Sequence, residues 1–247
     1  NRKMYSDWTN FHITAGEIVS EGILNSVNIL AEKLKTIYYP VSCPELPLQP
    51  QNDFRTEFQL SAKAKVLAVV GRIRPVKGQR ILLQSLKQLL REFPDLVLLM
   101  PYRDTAEKEP EMVAIRNDIS RLELEAHVRL IPEREDIRAL MEFADAGVVS
   151  SVDSEVICRV AVEFFSVATP VVAFPTGCLP EIIRHAENGL LTKAKTQQAL
   201  TDELRIILAD PELCERLGQG ARRDAEIRFN PKKMLSETLK VFEGSLN

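Results

Sequence analysis

Lys65-Val-Leu-Ala-Val-Val70 followed by Gly71-Arg72-Ile-Arg74-Pro-Val-Lys77-Gly78 is the stretch that decides the fold. The first run is continuously apolar and rich in β-branched residues, the pattern of a strand buried on both faces. Gly71 ends it, because a glycine lets the backbone turn sharply at a strand end. The next segment, Gln79–Phe93, carries Leu82, Leu86, Leu89, Leu90 and Phe93 on one stripe, so it reads as an amphipathic helix, closed by Pro94-Asp95. A buried strand, a glycine-punctuated loop and a helix make the opening unit of a parallel α/β sheet.

The same alternation continues downstream. Leu96–Met100, Val128–Ile131, Ala146–Ser150, Pro170–Phe174 and Gly189–Thr192 read as further strands. Glu111–Leu124, Asp136–Ala144 and Arg159–Val167 read as the helices between them, and Gln198–Leu208, Pro211–Phe229 and Pro231–Leu246 as helices to the end. The expected fold is α/β: a Rossmann-like parallel sheet of about six strands with helices on both faces. In such sheets ligands bind beyond the carboxyl ends of the strands, where the strand order reverses, so the loops after each strand are the places to search.

Upstream the pattern differs. Ile18, Ile23, Leu24, Val27, Leu30 and Leu34 recur at helical spacing, and Thr36-Ile-Tyr-Tyr39 is a short β-rich run. Pro40-Val-Ser-Cys-Pro-Glu-Leu-Pro-Leu-Gln-Pro50 holds too many prolines for a helix or a central strand. It reads as a linker with a domain boundary near residues 44–60.

With 32 Lys+Arg against 35 Asp+Glu, the 247-residue chain has a formal charge of −3, which excludes a generally basic nucleic-acid binder. No apolar run approaches the roughly 18 residues of a membrane span. Cys43, Cys158, Cys178 and Cys214 form no Cys-x-x-Cys pair, and His12, His127 and His185 are widely spaced, so a zinc or His-rich metal site is not expected. The thiols read as small buried residues in a reducing compartment.

Three loops carry candidate chemistry. After the first large-sheet strand, Arg72, Arg74 and Lys77 stand before a helix whose free N–H groups and positive dipole end suit a phosphate. The spacing is neither a Walker loop nor Gly-x-Gly-x-x-Gly, and a solvated basic loop is the alternative that local sequence leaves open. After Ala146–Ser150, the loop and helix carry Glu155 and Glu163, eight residues apart and up to about 12 Å along a helix. Glu163 precedes Phe164 and Phe165 and needs a partner there. With 24 glutamates in the chain, about two such pairs arise by chance, so the spacing alone carries nothing and a buried salt bridge is the alternative. After Pro170–Phe174, Gly177 offers close backbone approach to a ligand, and Glu181 begins a helix where an acid is favourable for dipole reasons alone. There is no Asp-x-Asp clamp and no Gly-x-Ser-x-Gly elbow.

Taken together, Val69-Val-Gly-Arg-Ile-x-x-x-Lys-Gly78, Glu155-x7-Glu163, Pro170-Val-Val-Ala with Gly177-Cys-Leu-Pro-Glu181, and Asn188-Gly-Leu-Leu191 resemble the donor-binding, C-terminal half of retaining GT-B glycosyltransferases of the family 4 type. The resemblance covers about residues 60–247. It implies that 51–247 is a nucleotide-sugar-binding Rossmann-like domain, and that 1–50 is the tail of an acceptor-binding domain plus the inter-domain linker. Gly71 would help form the nucleotide-binding loop, and Arg72 and Lys77 would hold the donor diphosphate and stabilise it as it leaves. Glu155 would contact the transferred sugar and Glu163 the ribose hydroxyls. Backbone amides near Arg159 and Val160 would meet the distal phosphate, and Leu130–Pro132, centred on Ile131, would line the base. No metal and no cofactor is implied; the donor is a nucleotide-diphosphate sugar with UDP, GDP or ADP undistinguished. The acceptor would be a saccharide or a lipid-linked saccharide.

The chain departs from that pattern where the family has Glu-Gly-Phe-Gly, with Glu155-Val156-Ile157-Cys158 in its place. It also lacks a glycine in Val167-Ala168-Thr169-Pro170 and carries Pro101-Tyr102-Arg103-Asp104 after the second large-sheet strand. Beginning at Asn1 and shorter than two full domains, it reads as a partial chain. The expected location is cytoplasmic, with peripheral contact at the inner membrane face through the absent domain. A sugar-nucleotide epimerase on the same fold, or a non-catalytic phosphate-binding module with a degenerate site, are the alternatives. Ile37, Tyr38 and Tyr39 are expected to form an unpaired edge, and with it self-association through residues 1–45.

Overall fold

The computed structural model describes residues 10–26, 29–50, 53–107, 109–153 and 155–245. The readings that touch Val27 and Leu246 lie outside these residues, as do those on residues 1–9 and 51–52. The small N-terminal elements are β1 (His12–Thr14), α1 (Glu17–Ser26) and β2 (Leu34–Thr36), followed by a single turn, α2 (Phe54–Glu57). Then comes the alternation: β3 (Val66–Ala68), α3 (Gln79–Leu89), β4 (Val97–Tyr102), α4 (Pro110–Arg121), β5 (Val128–Pro132), α5 (Ile137–Phe143), β6 (Ala146–Val149), α6 (Arg159–Ser166), β7 (Val171–Ala173), α7 (Leu179–Ile182) and β8 (Gly189–Leu191). Helices α8 (Gln197–Ala209), α9 (Pro211–Ile227) and α10 (Pro231–Ser245) follow.

Strands β3 to β8 form one six-stranded sheet in the order β5-β4-β3-β6-β7-β8, and every pairing is parallel. Leu67 lies between Leu98 of β4 and Ala146 of β6. The chain therefore builds outward from β3 to β5 and returns to build outward from β6 to β8, placing the reversal between β3 and β6. Side chains alternate along each strand. Val66 and Ala68 face a core with Leu140, Phe164, Phe165, Ile182 and Phe229, while Leu67 and Val69 face one with Leu82, Leu86, Ile115, Leu204 and Leu217. Burial on both faces is why the strands read as unbroken apolar runs. On α3, Leu82, Leu83, Leu86 and Leu89 are fully buried, each contributing about 1.5–3 kcal/mol.

The first forty residues depart from expectation. Leu34, read as the end of a helix, lies in β2, and the strand covers Leu34–Thr36 rather than Thr36–Tyr39. It pairs in parallel with β1, and Ile37 N–H extends the ladder to Thr14 O. The expected unpaired edge of Ile37, Tyr38 and Tyr39 does not form. Ile37 is buried, Tyr38 packs edge-on against Phe229 with centroids 5.7 Å apart, and the Tyr39 ring lies under the Arg159 guanidinium. Packing against the large sheet's helices thus takes these side chains out of any edge. The proline-rich segment 40–50 has no helix or strand, as its composition dictates. Several of its backbone groups are paired from outside the segment: Val41 N–H donates to Phe229 O, Arg138 donates to Ser42 O, Arg222 to Pro44 O, and Glu142 accepts from Leu48 N–H.

Candidate functional site

A cleft of about 660 Å³ opens beyond the carboxyl ends of the strands, at the reversal between β3 and β6. Its floor is the loop after β3, one wall the end of β4 with the residues that follow β4 and β5, and its opposite wall the segment from Ser150 to the first turns of α6. The two central loops are stapled together. Gly78 adopts φ +66° and closes so tightly on β6's exit that an added Cβ would sit 2.0 Å from Ser150 O. Ser150 Oγ donates to Lys77 O at 2.9 Å, and Val152 N–H to Val76 O at 2.9 Å. The glycine that strict geometry demands here is Gly78; Gly71 has open space around its α-carbon.

Lys77 forms an ion pair with Glu155, whose Oε1 also accepts from Ser151 Oγ. The Glu155 side chain is 6% exposed and that of Lys77 20%, so both charges are largely withdrawn from water. Arg72 lines the cleft, exposed, and its guanidinium has no ionic partner among the described residues. Arg74, grouped with these cations on sequence grounds, instead turns toward α4 and pairs with Glu109 at 2.6 Å. Gln79 is 1% exposed beneath the loop; its Nε2 donates to Arg72 O at 2.9 Å, and its Oε1 has no partner among the described residues.

On the opposite wall, Glu155 sits in the loop before α6 and Glu163 on the helix itself, so their eight-residue spacing is not a helical repeat. Both still line the same cleft, with Arg159 and Val160 between them at the helix start. A helix start carries amide donors with no partner inside the helix, and Arg159 and Val160, the first two residues of α6, line the same cleft as Arg72. Cys158 precedes them in a left-handed conformation (φ 41°) with its thiol buried, and burial pushes that thiol well above the usual range. Burial likewise raises Cys178 to about 12 and Cys214 to about 11.

Ile131 does not line the cleft: its side chain lies in the hydrophobic core, and Pro101, Tyr102, Arg103, Glu133 and Arg134 line the cleft beyond β4 and β5. Strand alternation sends Ile131 inward, and the residues just past β5 reach the cleft. Arg103 and Glu133 pair across it at 3.5 Å, whereas Arg134 is held by Glu57 and Asp136 over the Phe54 ring. Glu133, Arg134, Ser151 and Gln79 were not singled out from sequence, though each follows directly on a strand or its loop, the position the fold rule marks.

Gly177 and Glu181 are near the cleft but serve the protein's own backbone. The close approach at Gly177 (φ +55°) is to Glu155 O, which also accepts from Cys178 N–H at 2.7 Å. The Glu181 carboxylate accepts from the N–H groups of Glu17 and Ile18, each at 2.7 Å, capping α1 rather than its own helix. The Tyr38 phenol donates to it at 3.2 Å, and burial followed by the Glu181 charge raises that phenol to about 12. Among the described residues no helix is long and apolar enough to cross a membrane.

The family model described as glycosyl transferases group 1 matches residues 50–224. The spore coat protein SA of Bacillus subtilis is 27% identical over 94% of the chain and 64% of its own length. A D-inositol 3-phosphate glycosyltransferase of Corynebacterium efficiens is 33% identical over 68% of the chain and 40% of its length. The crystal structure of Anabaena Alr3699/HepE in complex with UDP-glucose superposes with a TM-score of 0.82 at 25% identity, covering 96% of this chain and 63% of that one. The chain thus spans about two thirds or less of the length of these relatives.

Proposed function

The chain belongs to the glycosyl transferases group 1 family, and from that premise we propose that its cleft binds the donor, a nucleotide-diphosphate sugar, for transfer to an acceptor. The observation that carries this reading is the cleft at the strand-order reversal, where Arg72, Lys77 and the α6 amides stand together with Glu155 and Glu163. The diphosphate lies between the α6 amides and the two cations. Lys77 leaves Glu155 for phosphate oxygens, which frees Glu155 to accept hydroxyls of the transferred sugar. Glu163 accepts the ribose hydroxyls, and the base occupies the end near Arg103 and Glu133. As the acceptor's hydroxyl oxygen bonds to the sugar's C1, the bond from C1 to the diphosphate oxygen breaks, its electron pair goes to that oxygen, and the hydroxyl proton passes to the departing diphosphate. Arg72 and Lys77 offset the charge that develops there, a preorganised electrostatic contribution.

The finer assignments are part of the same proposal. They are a GT-B enzyme of the family 4 type, retention of configuration, and charge stabilisation by side chains without a metal. Residues 51–247 act as the donor unit, and residues 1–50 belong to the acceptor-binding side and the linker. The acceptor is a saccharide or lipid-linked saccharide at the cytoplasmic face of a membrane. Uracil is the base of choice, because the 25%-identical Anabaena protein is described with UDP-glucose.

Calorimetry with UDP, GDP and ADP tests the reading. UDP is expected to bind, and Lys77→Ala and Glu163→Ala each to weaken it about tenfold or more, the loss of one charge-assisted contact. Equal, variant-insensitive heats for all three nucleotides, or none, would sink it. Product analysis with UDP-glucose separates transfer from epimerisation.

A further inference from the structure

The segment that joins β2 to the proline-rich linker touches a cleft-lining residue, Arg159, through one aromatic ring. Pro40 biases the residue before it to extended backbone, and in extended chain neighbouring side chains point to opposite sides. Tyr38 accordingly buries against Phe229, while Tyr39, 41% exposed, lies under the Arg159 guanidinium, 4.5 Å from its ring centroid. The edge of that guanidinium donates to Glu163 Oε1 at 3.4 Å. A planar guanidinium offers its face to a ring and its N–H edge to a carboxylate at the same time. An exposed ion pair of this helical spacing shifts an equilibrium only about twofold on its own, too little to hold Arg159, and with it Glu163, in one place. The ring supplies the second contact.

We infer that Tyr39 is a positioning residue for the donor site: by stacking under Arg159 it fixes the Glu163 carboxylate for the ribose hydroxyls. This rests on the donor reading above. It makes nucleotide affinity depend on a residue of the linker, outside the cleft-lining shell, and so couples placement of the N-terminal segment to donor binding. It also keeps the Arg159 guanidinium on Glu163, leaving the phosphate contacts at the α6 start to backbone amides.

The test is calorimetry on the full chain with UDP and with 2′,3′-dideoxy-UDP, which lacks the hydroxyls Glu163 would accept. Tyr39→Ala is expected to lower UDP affinity roughly two- to fivefold, the size of an exposed cation–π contact, and to leave the dideoxy nucleotide unchanged. Tyr39→Phe keeps the ring and is expected to bind like wild type. In a Glu163→Ala background Tyr39→Ala should have no further effect, the non-additivity of residues acting through one another. Equal losses for both nucleotides, no loss, or a Tyr39→Phe variant as weak as Tyr39→Ala would overturn the inference while leaving the donor reading intact. Failure of the wild-type chain to bind UDP would overturn the donor reading and this inference with it. Should Tyr39→Ala prove unfolded in thermal melts, Arg159→Met breaks the same chain of contacts and must show the same selective loss for UDP.

Discussion

Lys77 and Glu155 show how a resting site stores its own competitor. In the donor reading the ammonium must leave a carboxylate that is 6% exposed before it can hold phosphate, and the cost of parting the pair is subtracted from nucleotide affinity. Glu155→Gln removes both the competitor and a negative charge beside the diphosphate. UDP affinity is therefore expected to rise about three- to tenfold, roughly 1 kcal/mol, while the advantage of UDP-glucose over UDP shrinks, because the sugar keeps only a neutral amide oxygen as acceptor in place of the carboxylate. Titrating both ligands into wild type and variant checks this; weaker UDP binding by the variant would contradict it. Arg72 and Lys77 were both legible in the sequence as cations before a helix. Their different states, one without an ionic partner among the described residues and one neutralised, were not, because the partner of Lys77 lies 78 residues away.

At the scale of the elements, the site depends on how closely the exits of β3 and β6 can approach. Gly78 has both a left-handed φ and a backbone oxygen where a Cβ would stand, so Gly78→Ala combines backbone strain with a collision that only separation of the two loops can relieve. Thermal or urea unfolding is expected to show a loss of about 2 kcal/mol or more, and UDP affinity to fall more than tenfold as Lys77 shifts from the α6 start. Gly71→Ala, with nothing within 4 Å of the added atom, should leave the stability unchanged to within about 0.5 kcal/mol. Glu181 belongs to this scale as well. A helix start favours an acid, and this acid serves the start of a different helix, α1, whose Glu17 and Ile18 amides it accepts. Nothing local to Pro180-Glu181 indicates that partner.

For the whole molecule, Ile13, Ile18, Leu24 and Leu30 are all exposed on the N-terminal segment, and the two-stranded sheet leaves its outer edges open among the described residues. Self-association through residues 1–45 is accordingly expected to use these side chains rather than Ile37 and Tyr38. Sedimentation at tens of micromolar should show a dimer or higher species that Ile18→Glu/Leu30→Glu reduces to monomer; a monomeric wild type would refute it. The six-stranded parallel sheet was determined by sequence alone. Its strands are buried on both faces and so carry uninterrupted apolar runs, while its helices bury one face and so carry stripes; both signals are local. The cleft's location followed from them, since parallel α/β order brings the loops after β3 and β6 to one end of the sheet. Tertiary structure alone decided which side chains in those loops meet. Lys77 with Glu155, Arg74 away on Glu109, Ile131 in the core, Tyr39 under Arg159 and Glu181 on α1 are all contacts between residues distant along the chain or choices of facing. Such pairings depend on how the packed elements approach one another, and no periodicity within a single segment records that.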